Sequence, residues 1–115
     1  MSTRSLAAAT RTGAPIFAAL GDATRLRIVA KLSDGGPLSI VRLTEGEAMT
    51  RQAITKHLTV LADAGLVRDV RRGRERVWQL EPAPLQIARR YLDLVSQRWD
   101  EALARLVRLV ESDED

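Results

Sequence analysis

The chain has 115 residues, of which 45% are hydrophobic and 29% are charged, so it fits one globular domain and not a disordered chain. It has no cysteine, which excludes disulfides and thiolate metal sites, and the cytoplasm is its expected location. No apolar run approaches the ~20 residues of a membrane span, so no membrane partner is expected. The net charge is +3, and residues 51–76 hold seven basic against three acidic side chains. This local excess indicates a partner that carries phosphates.

Three short helices are predicted before this basic region. Residues 1–12 are rich in Ser, Thr, Ala and Arg without a strong apolar period, and we expect a flexible arm there that can become partly helical. Pro15 suits the first turn of a short first helix. Asp22 is the expected N-cap of a second helix, which residues 33–37 would end with a Gly-Gly-Pro turn. Ser39 would cap a short third helix.

The fourth predicted helix, here called the reader helix, carries the clearest functional signal. Thr50 is a good N-cap, and Gly65 is typical of a helix stop. Ile54, Leu58 and Leu61 recur at the spacing of one buried face. The remaining face presents side chains that can donate to base edges or phosphates, namely Thr50, Arg51, Gln52, Thr55, Lys56 and Thr59. This arrangement predicts a helix that enters the major groove of double-stranded DNA.

Within this face, the expected roles differ by side-chain chemistry. Arg51 and Gln52 are the expected base readers, because Arg can form two hydrogen bonds to guanine and Gln two to adenine. Thr50 and Thr55 are expected at phosphates. The alternative is an ordinary solvated helix face. His57 is the only histidine, and we expect it to pack or to contact a phosphate, because a metal ion needs several ligands.

A basic hairpin is predicted after the reader helix. Residues 66–71 and 76–80 suit two short strands, and the glycine in residues 72–75 suits the turn between them. DNA contact is expected from Arg72 and Arg74 ahead of Arg76. Alternatively, these arginines could serve only to protect an exposed strand edge.

A long amphipathic helix is predicted over residues 85–110, followed by a solvated acidic tail over 111–115. Its apolar stripe is too wide and too long for a domain of this size to cover by itself. The stripe predicts a homodimer interface formed by Leu85, Ala88, Leu92, Val95, Trp99, Ala102 and Leu106. The expected fold class is therefore mainly α with a small β-hairpin, in one domain over residues 13–110.

Four segments together resemble the ArsR/SmtB family of winged helix-turn-helix regulators: residues 17–28, 50–58, 61–67 and 71–74. The resemblance covers roughly residues 14–110. It implies that the third and fourth helices form a helix-turn-helix and that the hairpin is its wing. It further implies a homodimer joined through the first and last helices, which binds palindromic operator DNA, usually as a repressor.

Metal sensors of this family use cysteines on the short helix, or His and carboxylate clusters on the terminal helix. Here the short helix has no cysteine and the terminal helix has no histidine, so neither a metal nor another cofactor is expected. No nucleophile, base and acid set is visible either, which disfavours an enzyme.

The sequence thus predicts a DNA-binding transcriptional regulator. One alternative is a regulator that also senses a small organic ligand or partner protein near its terminal helices. Another is a winged-helix module that binds protein and not DNA, which should lack the Arg and Gln side chains on its reader face.

Overall fold

The computed structural model describes residues 3–113, with side chains over residues 6–112. Within this range the mainly α class with one small β-hairpin is confirmed. The elements in chain order are α1 (Thr3–Leu20), α2 (Ala23–Gly35), α3 (Ile40–Thr44), α4 (Arg51–Asp63), β1 (Val67–Arg72), β2 (Glu75–Leu80) and α5 (Pro82–Asp113). The reader helix is α4. No described helix has both the length and the apolar character that crossing a membrane requires.

A single core joins the helices to the hairpin. The largest fully buried side chains come from four consecutive parts of the chain: Ile28, Leu43, Ile54, Leu58, Leu61 and Leu66. Burying each side chain of this size stabilises the fold by ~1.5–3 kcal/mol before the entropy cost of folding is subtracted. Three of the six lie on α4, so the core holds that helix along one whole face.

The first helix is longer than the sequence predicts. For the described residues, the arm expected over residues 1–12 is helical from Thr3 onward and forms the first part of α1. Pro15 consequently lies inside the helix and not in its first turn. Packing against α5 explains the difference: Ala8 and Thr12 line a groove together with Tyr91 of α5, and such tertiary contacts supply stability that local sequence does not.

The caps of the central helices are confirmed. The side chain of Asp22 accepts a hydrogen bond from the backbone N–H of Arg25 at the start of α2. Ser39 caps α3 in the same way, and Thr50 caps α4 by accepting from the backbone N–H of Ala53 at 3.1 Å. Gly65 follows α4 with φ +75°, a conformation that glycine adopts without strain.

The hairpin has a tighter turn than expected, because the first strand is shifted by one residue and the second begins one residue earlier. β1 and β2 pair antiparallel from Val67 opposite Leu80 to Arg72 opposite Glu75. Only Gly73 and Arg74 remain in the loop, where the expected turn spanned residues 72–75. A backbone bridge between Leu38 and Trp78, which the sequence did not suggest, ties the hairpin to the segment before α3.

The terminal helix also exceeds its predicted bounds of 85–110. Pro82 and Pro84 stand in its first turn, where proline removes no hydrogen bond that the helix needs. The expected acidic tail is helical through Asp113, and residues 114–115 lie outside the described residues. The molecule measures 72 Å along its longest axis, against 28 Å and 20 Å across.

One expected interface residue belongs to the protomer's own core. Ala88 is 6% exposed and packs within the main core cluster, so it is not available to a second chain. Leu85 is partly buried against the same cluster. The stripe faces inward at this end because the start of α5 lies over the domain. Farther along the helix, Leu92 and Trp99 are exposed.

Candidate DNA-binding interface

The helix α4 presents two opposite faces. Ile54, Leu58 and Leu61 are fully buried, which fixes the rotation of the helix about its axis. All six side chains expected at DNA are exposed as a consequence: Thr50, Arg51, Gln52, Thr55, Lys56 and Thr59. The structure therefore brings these predicted residues together on one helix surface.

Hydrogen bonding divides five of these side chains into two groups, while the oxygen of Thr50 accepts the cap bond from Ala53. Thr55 donates its hydroxyl to the carbonyl oxygen of Arg51 at 2.8 Å, and Thr59 donates to that of Thr55 at 3.0 Å. A threonine has one O–H donor, so each must release this bond before it can donate to a phosphate. Within residues 3–113, no side-chain hydrogen bond or ion pair occupies Gln52 or Lys56, nor the guanidinium of Arg51.

An ion cluster fixes the turn between α3 and α4 against α2. Arg27 donates to the carboxylate of Glu47 through Nε at 2.9 Å and Nη2 at 3.0 Å. Lys31 Nζ donates to the carbonyl oxygens of Leu43 and Glu45 at 3.0 and 2.9 Å, where α3 ends. The Glu47 side chain is only 5% exposed. The hydrogen bonds from Arg27 hold the pKa of Glu47 below its ordinary value, so the carboxylate stays charged at neutral pH.

A second set of polar contacts ties the middle of α4 to the start of α2. Arg25 Nη1 lies 3.1 Å from Nδ1 of His57, and Arg25 Nε donates to the carbonyl oxygen of Ala19 at 2.5 Å. Oδ2 of Asp22 is 3.8 Å from the same His57 nitrogen. The backbone N–H of Arg25 is the main cause of a lowered pKa at Asp22. His57 therefore contacts other residues of the protomer, which agrees with the first of the two roles expected for it, packing.

The hairpin arginines differ in their surroundings. Arg72 and Arg74 are exposed at the hairpin tip, and no acidic side chain of the described residues pairs with either. Arg76 instead bonds to Asp69 at 2.6 Å and lies 5.4 Å from the centre of the Trp78 ring. Arg76 must therefore give up the Asp69 contact to reach DNA, whereas Arg72 and Arg74 need not give up an ion pair.

Comparison with known proteins identifies this architecture. A helix-turn-helix domain family matches residues 20–70. The HTH-type transcriptional regulator Rv2034 of Mycobacterium tuberculosis is 39% identical over 97 residues, which cover 84% of this chain and 87% of that protein. An ArsR-like transcriptional regulator from Rhodococcus superposes with a TM-score of 0.74 at 35% identity, covering 86% of this chain and 92% of the other. The chain belongs to the ArsR family of winged helix-turn-helix transcriptional regulators.

The ArsR family consists of DNA-binding regulators and not enzymes, so the family and the class of function expected from the sequence are confirmed. In this ArsR-family fold, α3 and α4 are the helix-turn-helix and the β1–β2 hairpin is the wing. A further solved relative is the homodimeric winged helix-turn-helix DNA-binding domain of a possible ArsR-family regulator from Mycobacterium bovis. It has a TM-score of 0.60 at 27% identity and covers 91% of this chain and 93% of that one.

This ArsR-family chain shows no group of three or more His, Cys, Asp or Glu residues, within residues 3–113, that could hold a metal ion. The polar contacts that sequence reasoning missed are those of Arg25, Arg27, Lys31 and Glu47. The contacts from Arg25 to His57, from Arg27 to Glu47 and from Lys31 to Leu43 join residues 32, 20 and 12 positions apart. No local period or short motif predicts such a pair.

Proposed function

We propose that this ArsR-family regulator acts as a homodimer that binds a palindromic operator and represses transcription by blocking access to the promoter. The observation that carries this proposal is the core-anchored helix α4, whose outer face bears Arg51, Gln52 and Lys56 with their charged or amide groups unengaged. A reader helix needs both properties, since a rotated helix or occupied donors could not meet base edges.

The proposed contacts follow from the chemistry of each side chain. Arg51 and Gln52 read bases in the major groove, while Lys56 serves as a point charge for a phosphate. Thr50, Thr55 and Thr59 contact the DNA backbone once their hydroxyls turn outward. Arg72 and Arg74 at the hairpin tip contact phosphates or the minor groove, and Arg76 joins them only if it releases Asp69.

The homodimer part of the proposal is supported by the surface of α5. Four large apolar side chains on α5 are exposed: Leu92, Val95, Trp99 and Leu106. They recur at intervals of three, four and seven residues, and apolar side chains at such helical spacing usually pack against another surface. Ala102, between them, is partly buried. The relative from M. bovis is itself a homodimer. Two α4 helices would then read half-sites about one DNA turn apart, ~34 Å, or a multiple of that distance.

Selection from random duplex DNA tests the function, followed by salt titration of the selected sequence. We expect an enriched palindrome whose affinity falls by ~10³–10⁵ between 50 and 200 mM salt, if the dimer neutralises ~6–10 phosphates. A scrambled duplex of equal length is the control. Absence of any enriched sequence, or an affinity independent of salt, would contradict DNA recognition and favour a protein-binding module.

The second candidate function is regulation by a small organic effector, and it is motivated by a groove on the protomer surface. A cavity of about 570 Å³ lies between α1 and α5. It is lined by Ala8, Ala9, Thr12, Ile87, Arg90, Tyr91, Asp93, Leu94 and Gln97. A ligand there would lie beside the proposed dimer contacts and could alter the separation of the two α4 helices. Its binding would change operator affinity, and operator DNA would change ligand affinity by the same factor.

A further inference from the structure

We propose that Arg25 and His57 are positioning residues for the reader helix α4, and that the DNA-binding state has a neutral His57. This inference rests on the proposed function only in that it needs a selected operator as probe. It concerns residues outside the face of α4 that we place at DNA.

The position of His57 separates it from the reading surface. An α-helix turns about 100° per residue, so His57 lies about 140° around the axis from Gln52 and about 160° from Thr59. Thr50 is nearly in line with His57 but lies about two turns, ~10 Å, nearer the start of the helix. The His57 side chain is 20% exposed and faces the start of α2. A change at His57 therefore acts on DNA through the orientation of α4 and not through direct contact.

The contact between Arg25 and His57 fits only one form of the Nδ1 atom. A guanidinium has only N–H donors, so the 3.1 Å contact of Arg25 requires Nδ1 of His57 to accept, without a proton of its own. The other end of the same guanidinium donates to the carbonyl oxygen of Ala19 in the last turn of α1. Through neutral His57, Arg25 thus joins α1, α2 and α4.

Protonation would exchange this partner for another. Once Nδ1 carries a proton it can only donate, and two cationic donors face each other, so the Arg25 contact is lost. The carboxylate of Asp22 lies 3.8 Å from the same nitrogen and is the available acceptor. Closing that gap to hydrogen-bond length moves the ring by about 1 Å. His57 on α4 then contacts Asp22, the N-cap of α2, in place of Arg25, which is bonded to α1.

His57 is the only histidine of the chain, so no other histidine contributes to a pH effect on binding. Within the described residues, the charged groups facing the ring are Asp22 and Arg25 from the start of α2, while α1 contributes the carbonyl oxygen of Ala19 through Arg25. Histidine is the side chain that ordinarily changes charge between pH 5 and 8, and this chain has one. Comparison with His57→Asn therefore shows whether a pH effect on DNA binding between pH 5.5 and 7.0 depends on His57.

Operator affinity at pH 5.5 and 7.0, at constant ionic strength, tests the proposal. We expect wild-type affinity to be lower at pH 5.5 by about three- to tenfold, within the range that losing one ordinary intramolecular hydrogen bond of about 1 kcal/mol would give. The quantity compared is the ratio of the affinities at the two pH values for each variant. A loss of binding that is equal at both pH values leaves this ratio unchanged. Circular dichroism at both pH values checks that each variant is folded.

Three variants separate positioning from a merely structural role. In His57→Asn, the amide oxygen can accept from Arg25 but does not titrate, so its affinity ratio should be near one. His57→Ala should bind weakly at both pH values, and His57→Asn should recover affinity relative to it. Asp22→Asn keeps an N-cap oxygen but removes the charge that stabilises protonated His57, so the loss of affinity should begin at lower pH.

Three results would overturn the proposal. They are a folded wild type with equal affinities at both pH values, tighter binding at pH 5.5, and the same pH dependence in His57→Asn. Failure of the proposed function is distinguishable, since the wild type would then bind no sequence preferentially at pH 7.0 either.

Discussion

Single side chains on α4 and on the hairpin should affect DNA binding in different ways. Arg51→Ala or Gln52→Ala should lose ~1–3 kcal/mol of operator binding and relax preference at particular base pairs, because each would remove a bidentate base contact. Arg74→Ala should weaken operator and random DNA more evenly, because a hairpin tip mainly meets the DNA backbone. Competition binding with single-base operator variants measures both effects.

Ser33→Ala is a suitable control for these measurements. Its hydroxyl donates to the carbonyl oxygen of Val29 on the exposed surface of α2, outside every proposed site. If Arg51→Ala weakened every sequence equally, Arg51 would be a phosphate contact and not a base reader.

The Arg27–Glu47 contact gives a residue-scale prediction about stability and pH. The folded-state pKa of Glu47 lies below its ordinary value of 4.5, so its stabilising contribution is present above that value and is lost as pH falls through the lowered pKa. Glu47→Gln should therefore be less stable than wild type at pH 7. The difference should shrink when both proteins are measured at about pH 3.

Urea denaturation at the two pH values measures this difference. Glu45→Gln is the matched control, because the Glu45 side chain is 64% exposed and 3.8 Å from Arg42, and such exposed pairs contribute little. A Glu47→Gln protein as stable as wild type at pH 7 would show that the Arg27 contact does not hold the turn before α4.

At the scale of elements, a helix could be predicted where its stability comes from neighbouring residues, and could not where it comes from residues distant in sequence. The bounds of α4 could be predicted because Thr50 and Gly65 act on the backbone beside them, and the buried side chains repeat at helical spacing. The first half of α1 could not be predicted, because residues 3–12 are helical where α1 packs along α5. That contact joins residues more than 70 positions apart.

The N-cap of α4 can be tested directly. Thr50→Ala removes the acceptor for the backbone N–H of Ala53 and should cost ~1 kcal/mol of stability, within a range of ~0.5–2 kcal/mol. Thr50→Ser keeps a hydroxyl and should restore most of the loss. Urea denaturation gives the comparison, and equal stability of the alanine and serine variants would show that the cap contributes nothing.

At the scale of the whole molecule, the parts of the site that escaped prediction are those that orient α4. Side-chain chemistry on one helix face was enough to choose Arg51 and Gln52 as candidate readers. The contacts that hold this face outward, from Arg25 to His57 and from Arg27 to Glu47, span 32 and 20 positions and exist only after the chain has folded. Ala88 illustrates the same limit, since its periodicity alone could not show which apolar positions the protomer buries for itself.

The proposed dimer provides the whole-molecule prediction. Trp99 is 65% exposed near the middle of the apolar stripe on α5, where large side chains should carry much of the interface energy. Trp99→Glu would bury an unpaired charge in that interface, at a cost of several kcal/mol unless the dimer separates. We therefore expect a folded monomer with a native circular dichroism spectrum. Its operator affinity should collapse toward weak, non-specific binding, because separation removes the second α4 helix.

Trp99→Phe is the matched control for this experiment, since it keeps an aromatic apolar side chain and should remain a dimer that binds its operator. Sedimentation equilibrium, circular dichroism and operator titration on the same preparations distinguish loss of assembly from loss of folding. The glutamate should leave the protomer folded, because Trp99 is exposed and lies outside the core cluster of the described residues. If Trp99→Glu stayed dimeric and bound normally, the interface would have to lie elsewhere, and the apolar stripe beyond Leu92 would need a different partner.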